Sequence, residues 1–196
     1  MRNLWPGFRV DYDHYYGCPG APIELVEYGD FQCNYCGEVY PVIKQLQDCF
    51  GDLLKFVYRH FPVSNQHTLA LPAAIAAEAA ANQGKFWYMH DMIYENQKYL
   101  SRTSFSEFAG EIELDIKSFE DCREHKKLLR KVTGDFASGV RSGVDSTPTF
   151  FINGMRYEGF DDFGNLYTVL RNISCDENST IERPNRMLDH GQRLLR

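Results

Sequence analysis

Two cysteines separated by two residues, Cys33 and Cys36, bracket Asn34 and Tyr35. Thiols at this spacing can exchange disulfides, can form half of a zinc site, or can be an inert pair. Their surroundings favour the first. Ile23 to Tyr28 is a short, mostly apolar run that reads as a buried strand, and Gly29 to Gln32 reads as a loop. Val39, Val42, Ile43, Leu46 and Phe50 then recur at helical spacing until Gly51 ends the pattern. The pair therefore stands where a strand hands over to a helix. At a helix N-terminus the unpaired amides and the positive end of the dipole favour a thiolate, which is the attacking species. A second thiol one turn later can release the resulting mixed disulfide. Cys33 is accordingly the expected attacker and Cys36 the resolver. Zinc would need further ligands, and Cys49, thirteen residues after the pair, would lie at the far end of the same helix, about 20 Å away.

The elements around the pair follow from pattern. Leu53 to Phe61 reads as a second strand stopped by Pro62, and residues 67–141 are helical throughout. Within that block Leu69–Ala81, Lys85–Gln97, Ser104–Ala109, Ile116–Glu124 and Lys127–Ser138 read as separate helices. Thr149–Ile152, Asn153-Gly154 and Met155–Glu158 form a hairpin, since Asn-Gly suits a two-residue type I′ turn. Asp161–Arg171 supplies a last helix. Residues 1–20 read as an irregular lead-in and 173–196 as a polar tail, which leaves one domain at 21–172. The order β–α–β, a helical insertion of about 75 residues, then β–β–α lets one sheet carry helices on its faces.

Composition narrows the function. The chain has 196 residues, 21 Lys+Arg against 27 Asp+Glu, and a net charge of −6. A nucleic-acid partner is not expected, because phosphate neutralisation needs clustered cations. The densest basic stretch, Lys126, Lys127, Arg130 and Lys131, reads as a solvated helix face. No run is long and apolar enough for a membrane span. The first ten residues lack the apolar stretch of a secretory signal, so a cytoplasmic location is expected, or an exported one if a leader has been removed. Cys18, Cys49, Cys122 and Cys175 are expected to be free thiols, and His60 and His67 to make structural hydrogen bonds. Phe86, Trp87, Tyr88, Met89 and Ile93 read as packing residues, while Phe31, Tyr35 and Phe151 could form an apolar apron at the site. No phosphate-binding glycine loop, Gly-x-Ser-x-Gly or His-Glu-x-x-His motif occurs.

Four ordered motifs resemble one family: Leu25–Cys36, Tyr58-Arg59-His60-Phe61-Pro62, Gly84–Asp91 and Gly143–Gly154. Together they are similar to the DsbA-like branch of the thioredoxin superfamily, most of all to thioredoxin-like domains fused to some sodium/proton antiporters. The resemblance implies an α/β thioredoxin fold with a helical insertion, and thiol–disulfide exchange with no cofactor beyond the cysteines. Cysteine-containing polypeptides would be the substrates, with a redox partner from a thioredoxin or glutathione system or a membrane oxidase. It further implies that Thr147 and a cis Pro148 face the pair and bind substrate, beside Asn34 and Tyr35. Glu27 matches a buried acid serving the resolving cysteine, its alternative being a solvent-facing strand carboxylate. Pro41 matches a helix-kinking proline. Strong oxidants of this branch carry Pro-His where this chain has Asn34-Tyr35, and Asp30 and Glu38 add negative charge, so a reductase or isomerase is expected ahead of an oxidase. Two rivals are a glutathione-dependent enzyme, which would usually lack Cys36, and a redox sensor without turnover.

Overall fold

A computed structural model describes residues 3–159 and 163–181. Its strands are β1 (His14–Tyr16), β2 (Ile23–Gly29), β3 (Leu54–His60), β4 (Thr149–Ile152) and β5 (Met155–Arg156). Its helices are α1 (Asn34–Phe50), α2 (Ala70–Ala81), α3 (Phe86–Glu95), α4 (Ser104–Glu111), α5 (Ile116–Arg123), α6 (Lys126–Arg141) and α7 (Phe163–Ile181). The sheet runs β1-β3-β2-β4-β5, with β2 and β3 parallel and every other pairing antiparallel. A parallel pair needs a crossover, and α1 supplies it. None of the described helices is long and apolar enough to cross a membrane.

Both faces of the sheet are covered, which is why β2 and β3 read as nearly continuous apolar runs instead of alternating ones. Side-chain alternation splits the core accordingly. Leu25, Phe56, Tyr58, Phe150 and Ile152 join the larger cluster with α1 and the helical insertion. Val26, Tyr28, Val57 and Phe151 join Leu4, Phe61 and Val144 on the other face. There α6 comes close at Gly139, where a Cβ would lie 2.7 Å from the Phe61 ring. The hairpin turn forms as its sequence requires, with Asn153 and Gly154 at φ of 46° and 80°.

Three expectations are corrected. Residues 1–20 are not merely a lead-in, because β1 pairs with β3, His14 opposite Tyr58, and Leu4 N donates to Gly154 O at 2.8 Å. The anchor is Arg59, 1% exposed. Its Nε and Nη2 donate to the two Asp13 carboxylate oxygens at 2.9 Å each, and its remaining donors reach Pro6 O, Gly7 O and the Tyr28 hydroxyl. A fork of this kind satisfies a buried guanidinium almost completely. The last helix does not stop at Arg171; it continues to Ile181, while its expected start at Asp161 and the rest of the tail lie outside the described residues. Lys131 leaves the solvated face on which Lys126, Lys127 and Arg130 stay. Its Nζ enters the interior, 2.6 Å from Asp135 Oδ2 and 3.7 Å from Glu78 Oε1.

Removing one partner of a buried pair leaves the other charge uncompensated. Asp13→Ala should lower unfolding free energy in urea by about 3–5 kcal/mol, and Arg59→Met added to it should recover much of the loss. Equal stability of Asp13→Ala and the parent chain would show that the N-terminal segment is held by something else.

Candidate redox site

Cys33 is the residue on which the chain turns from loop to helix. It takes extended angles, φ −72° and ψ 123°, as N-cap of α1, and no side chain caps the helix. The first helical amides are therefore left to whatever approaches them, and the first turn carries no acidic side chain. Cys33 is 6% exposed and Cys36 fully buried one turn later, both as free thiols. Across the sheet the Thr147–Pro148 peptide is cis, and the Cys33 thiol donates to Thr147 O at 3.2 Å. Two segments 114 residues apart thus meet at one sulfur.

The two thiols sit in opposite electrostatic settings. Cys33 is lowered to about 6, first by a hydrogen bond from Cys36, against the opposing effect of burial, and then by Thr147 and the amides of Cys36 and Tyr35. Cys36 is pushed well above the ordinary thiol value by burial, by its bond to Cys33, and by the charges of Glu27 and Cys33. Asp30 N donates to the Cys36 sulfur at 3.5 Å. Glu27 lies beneath the pair, 3% exposed, with Oε1 lacking a hydrogen-bond partner. Burial first, and the Cys33 charge second, raise its carboxyl to about 8. The solvent-facing alternative for Glu27 therefore does not describe this fold. Tyr58 and Tyr94 share the same buried volume, their hydroxyls 3.0 Å apart. Both are raised well above the ordinary phenol value, chiefly by burial and also by Glu27 and Cys36.

Asn34 and Tyr35 are exposed at the mouth, Tyr35 at 62%. Tyr35, Thr147, Pro148, Phe150, Arg156 and Tyr157 line a surface groove beside the thiols. The other two apron candidates are absent from it, because Phe31 and Phe151 are buried in the two core clusters. Among the expected packing residues Phe86, Met89 and Ile93 are buried, whereas Tyr88 is exposed at 64%. The charge expected from Asp30 is tied up locally: its carboxylate accepts from Gln32 N at 2.7 Å, Val63 N at 2.8 Å and His67 Nδ1 at 2.8 Å. Neither Asp30 nor Glu38 is among the leading influences on Cys33.

His60 bonds Glu78 Oε1 through Nε2 at 2.9 Å, as does His14. Ligand atoms of His60, Glu78 and Asp135 lie within 4.8 Å of one another. The Lys131 ammonium already sits against both carboxylates, so this cluster carries its own cation and does not fit a resident metal ion. Sequence reading missed Gln97, whose Nε2 donates to Phe31 O and Cys33 O, and Gln32, whose Oε1 accepts from Leu69 N. A lone glutamine at the end of a helical pattern carries no signal for such a contact.

Glu27 generates a pH test. In the unfolded chain it ionises near its ordinary 4.5, in the folded chain near about 8. Between those values the folded state holds a proton that the unfolded state has lost, so stability falls as pH rises through this window. Glu27→Gln removes that fall. Its stability advantage over the parent should be near zero at pH 4 and grow to roughly 2–5 kcal/mol by pH 8. Parallel stability curves for the two proteins would contradict the burial argument.

The comparisons with known proteins agree with this architecture. The family described as Thioredoxin matches residues 9–172. The Na(+)/H(+) antiporter NhaA 1 of Mycobacterium sp. (strain KMS) is 41% identical over 160 residues, 81% of this chain and 26% of that protein. The NhaA antiporter of Herminiimonas arsenicoxydans is 38% identical over 167 residues, 85% of this chain and 26% of that one. The chain thus spans about a quarter of the length of these curated relatives. Among solved structures, alpha-DsbA1 from Wolbachia pipientis superimposes with a TM-score of 0.76 at 20% identity, covering 89% of this chain and 97% of that one. With the sheet order and the family match over most of its length in agreement, the chain belongs to the thioredoxin family, and its fold is like that of the DsbA structure.

Proposed function

We propose that the protein is a thiol–disulfide oxidoreductase acting on cysteine-bearing polypeptides through Cys33 and Cys36. The observation that carries this is the split between the two thiols, one lowered to about 6 and the other raised. At neutral pH Cys33 is largely thiolate and Cys36 is not, which is the division of labour that exchange requires. The Cys33 thiolate attacks one sulfur of a substrate disulfide and the other leaves as a thiolate. Cys36 then loses its proton and attacks the Cys33 sulfur, the second substrate thiolate departs, and two electrons have moved from the pair to the substrate. A reducing partner such as glutathione or thioredoxin returns the pair to dithiol.

Glu27 is assigned as base for the second step. Its carboxyl is held up partly by the Cys33 negative charge. That charge disappears when Cys33 enters the mixed disulfide, so the Glu27 carboxyl, still raised by burial, ionises more readily at the moment Cys36 must be deprotonated. The same loss of charge eases ionisation of Cys36 itself. Thr147 and Pro148, with Asn34 and Tyr35, form the substrate-facing rim.

A Cys33 value of about 6 lies between those of thioredoxin, about 7, and DsbA, about 3.5. A thiolate stabilised less than in a strong oxidant supports a reductase or isomerase, with a reduction potential between roughly −270 and −120 mV and nearer the lower figure. Redox titration of the pair tests this, and a potential near the DsbA end would make the protein a disulfide-forming oxidase. Cys33→Ser should abolish turnover with insulin or a scrambled protein, and Cys36→Ser should accumulate mixed disulfides through Cys33. Substantial turnover by Cys33→Ser, or a reversible disulfide with no turnover in the parent, would sink the proposal. Glu27→Gln should slow resolution of a preformed mixed disulfide at least several-fold; unchanged single-turnover kinetics would leave Glu27 a structural role only.

A further inference from the structure

The segment between β2 and α1 must hold Cys33 extended while the very next residue begins a helix. Two of its carbonyls are gripped from outside. Gln97 Nε2 donates to Phe31 O at 3.0 Å and to Cys33 O at 2.8 Å. Both hydrogens of one amide group are used, and of the two ends of the Gln97 amide only the NH2 end can donate to both carbonyls. Gln97 opens a single 3-10 turn, Gln97–Tyr99, that follows α3, so the grip comes from the helical insertion. The Cys33 carbonyl also receives Gly37 N at 3.1 Å, the bond that starts α1. Gly37 itself is shaped by the same contact. A Cβ built on it would stand 2.8 Å from Gln97 Cδ and closer still to its Oε1. Glycine inside a helix is otherwise a liability relative to alanine, and φ at this position is not in the left-handed region that would excuse it.

We propose that Gln97 is a positioning residue for Cys33, and that residue 37 is glycine in order to admit the Gln97 side chain against the redox loop. The functional meaning of this assignment rests on the oxidoreductase reading above. Fixing the peptide groups of Phe31 and Cys33 fixes the direction in which the next amides point, and these are the amides of Tyr35 and Cys36 that face the Cys33 sulfur. Those two amides are among the groups that lower the Cys33 thiol. A loosened loop aims them less well, and the thiolate loses part of its stabilisation. The insertion therefore tunes the thiol without touching it.

A double-mutant cycle tests the assignment with two readouts that do not depend on turnover: the urea midpoint, and the alkylation rate of Cys33 at pH 5, located by mass spectrometry. Gln97→Ala should slow Cys33 labelling about three- to tenfold, following the fall in thiolate fraction. Gly37→Ala in the parent chain should slow labelling similarly and lower the midpoint, because the new methyl displaces Gln97. In the Gln97→Ala background the same Gly37→Ala change should raise the midpoint, as alanine normally does in a helix, and leave labelling unchanged. Gln97→Glu, nearly the same shape, provides a variant that keeps the packing. Ionised, it sets oxygens against both carbonyls and should move the midpoint of the Cys33 labelling–pH profile upward relative to the parent. Parent-like labelling of Gln97→Ala and Gln97→Glu, or a Gly37→Ala penalty of equal size in both backgrounds, would overturn the assignment. Absence of disulfide exchange by the parent would remove the oxidoreductase reading, while the labelling cycle would still decide the positioning of Cys33.

Discussion

The site depends on β2 being bonded along both of its edges. Its parallel register with β3 sets Glu27 beside Tyr58, and its antiparallel register with β4 sets Glu27 opposite Phe150 and Tyr28 opposite Thr149. The second register is what brings Thr147, two residues before β4, to the Cys33 sulfur. A slip of one residue would exchange the two faces of the strand. Glu27 would then leave the space under the thiols and Tyr28 would enter it. Burial on both faces opposes such a slip, since every slipped side chain would meet a packed layer.

Around that strand the fold treats its buried ionisable groups in two ways. Arg59 is met by Asp13 and three further acceptors, and Glu78 by two histidines, whose bonds outweigh the effect of burial and hold its carboxylate low. Glu27 receives no comparable support and is held proton-bound instead. The first treatment fixes chain segments in place. The second keeps a group within reach of a change in charge state, at a standing cost to stability.

Much of this was legible in the sequence, for local reasons. The thiol pair, the helix behind it, the strands β2 and β3 and the Asn153-Gly154 turn each carry their own spacing or turn chemistry, and the four motifs gave the fold and Pro148. What escaped was non-local. The three residues of β1 are too few to show a period, and their anchor, Arg59, lies 46 residues beyond Asp13. Lys131 shares a composition with its exposed neighbours, and only the tertiary position of Glu78 and Asp135 pulls it inward. Asp30 read as a charge that would oppose the thiolate because sequence shows charge but not the amides and the imidazole that engage it.

The edges of the sheet are short. On one side β1 has three residues; on the other β5 has two, and Asn3 bridges to Met155 while Leu4 bonds the turn at Gly154. Under the proposed function the protein meets extended chains in search of free backbone donors and acceptors. Long bare edges would accept them as extra strands and lead to aggregation. Here such a chain finds little ladder to extend.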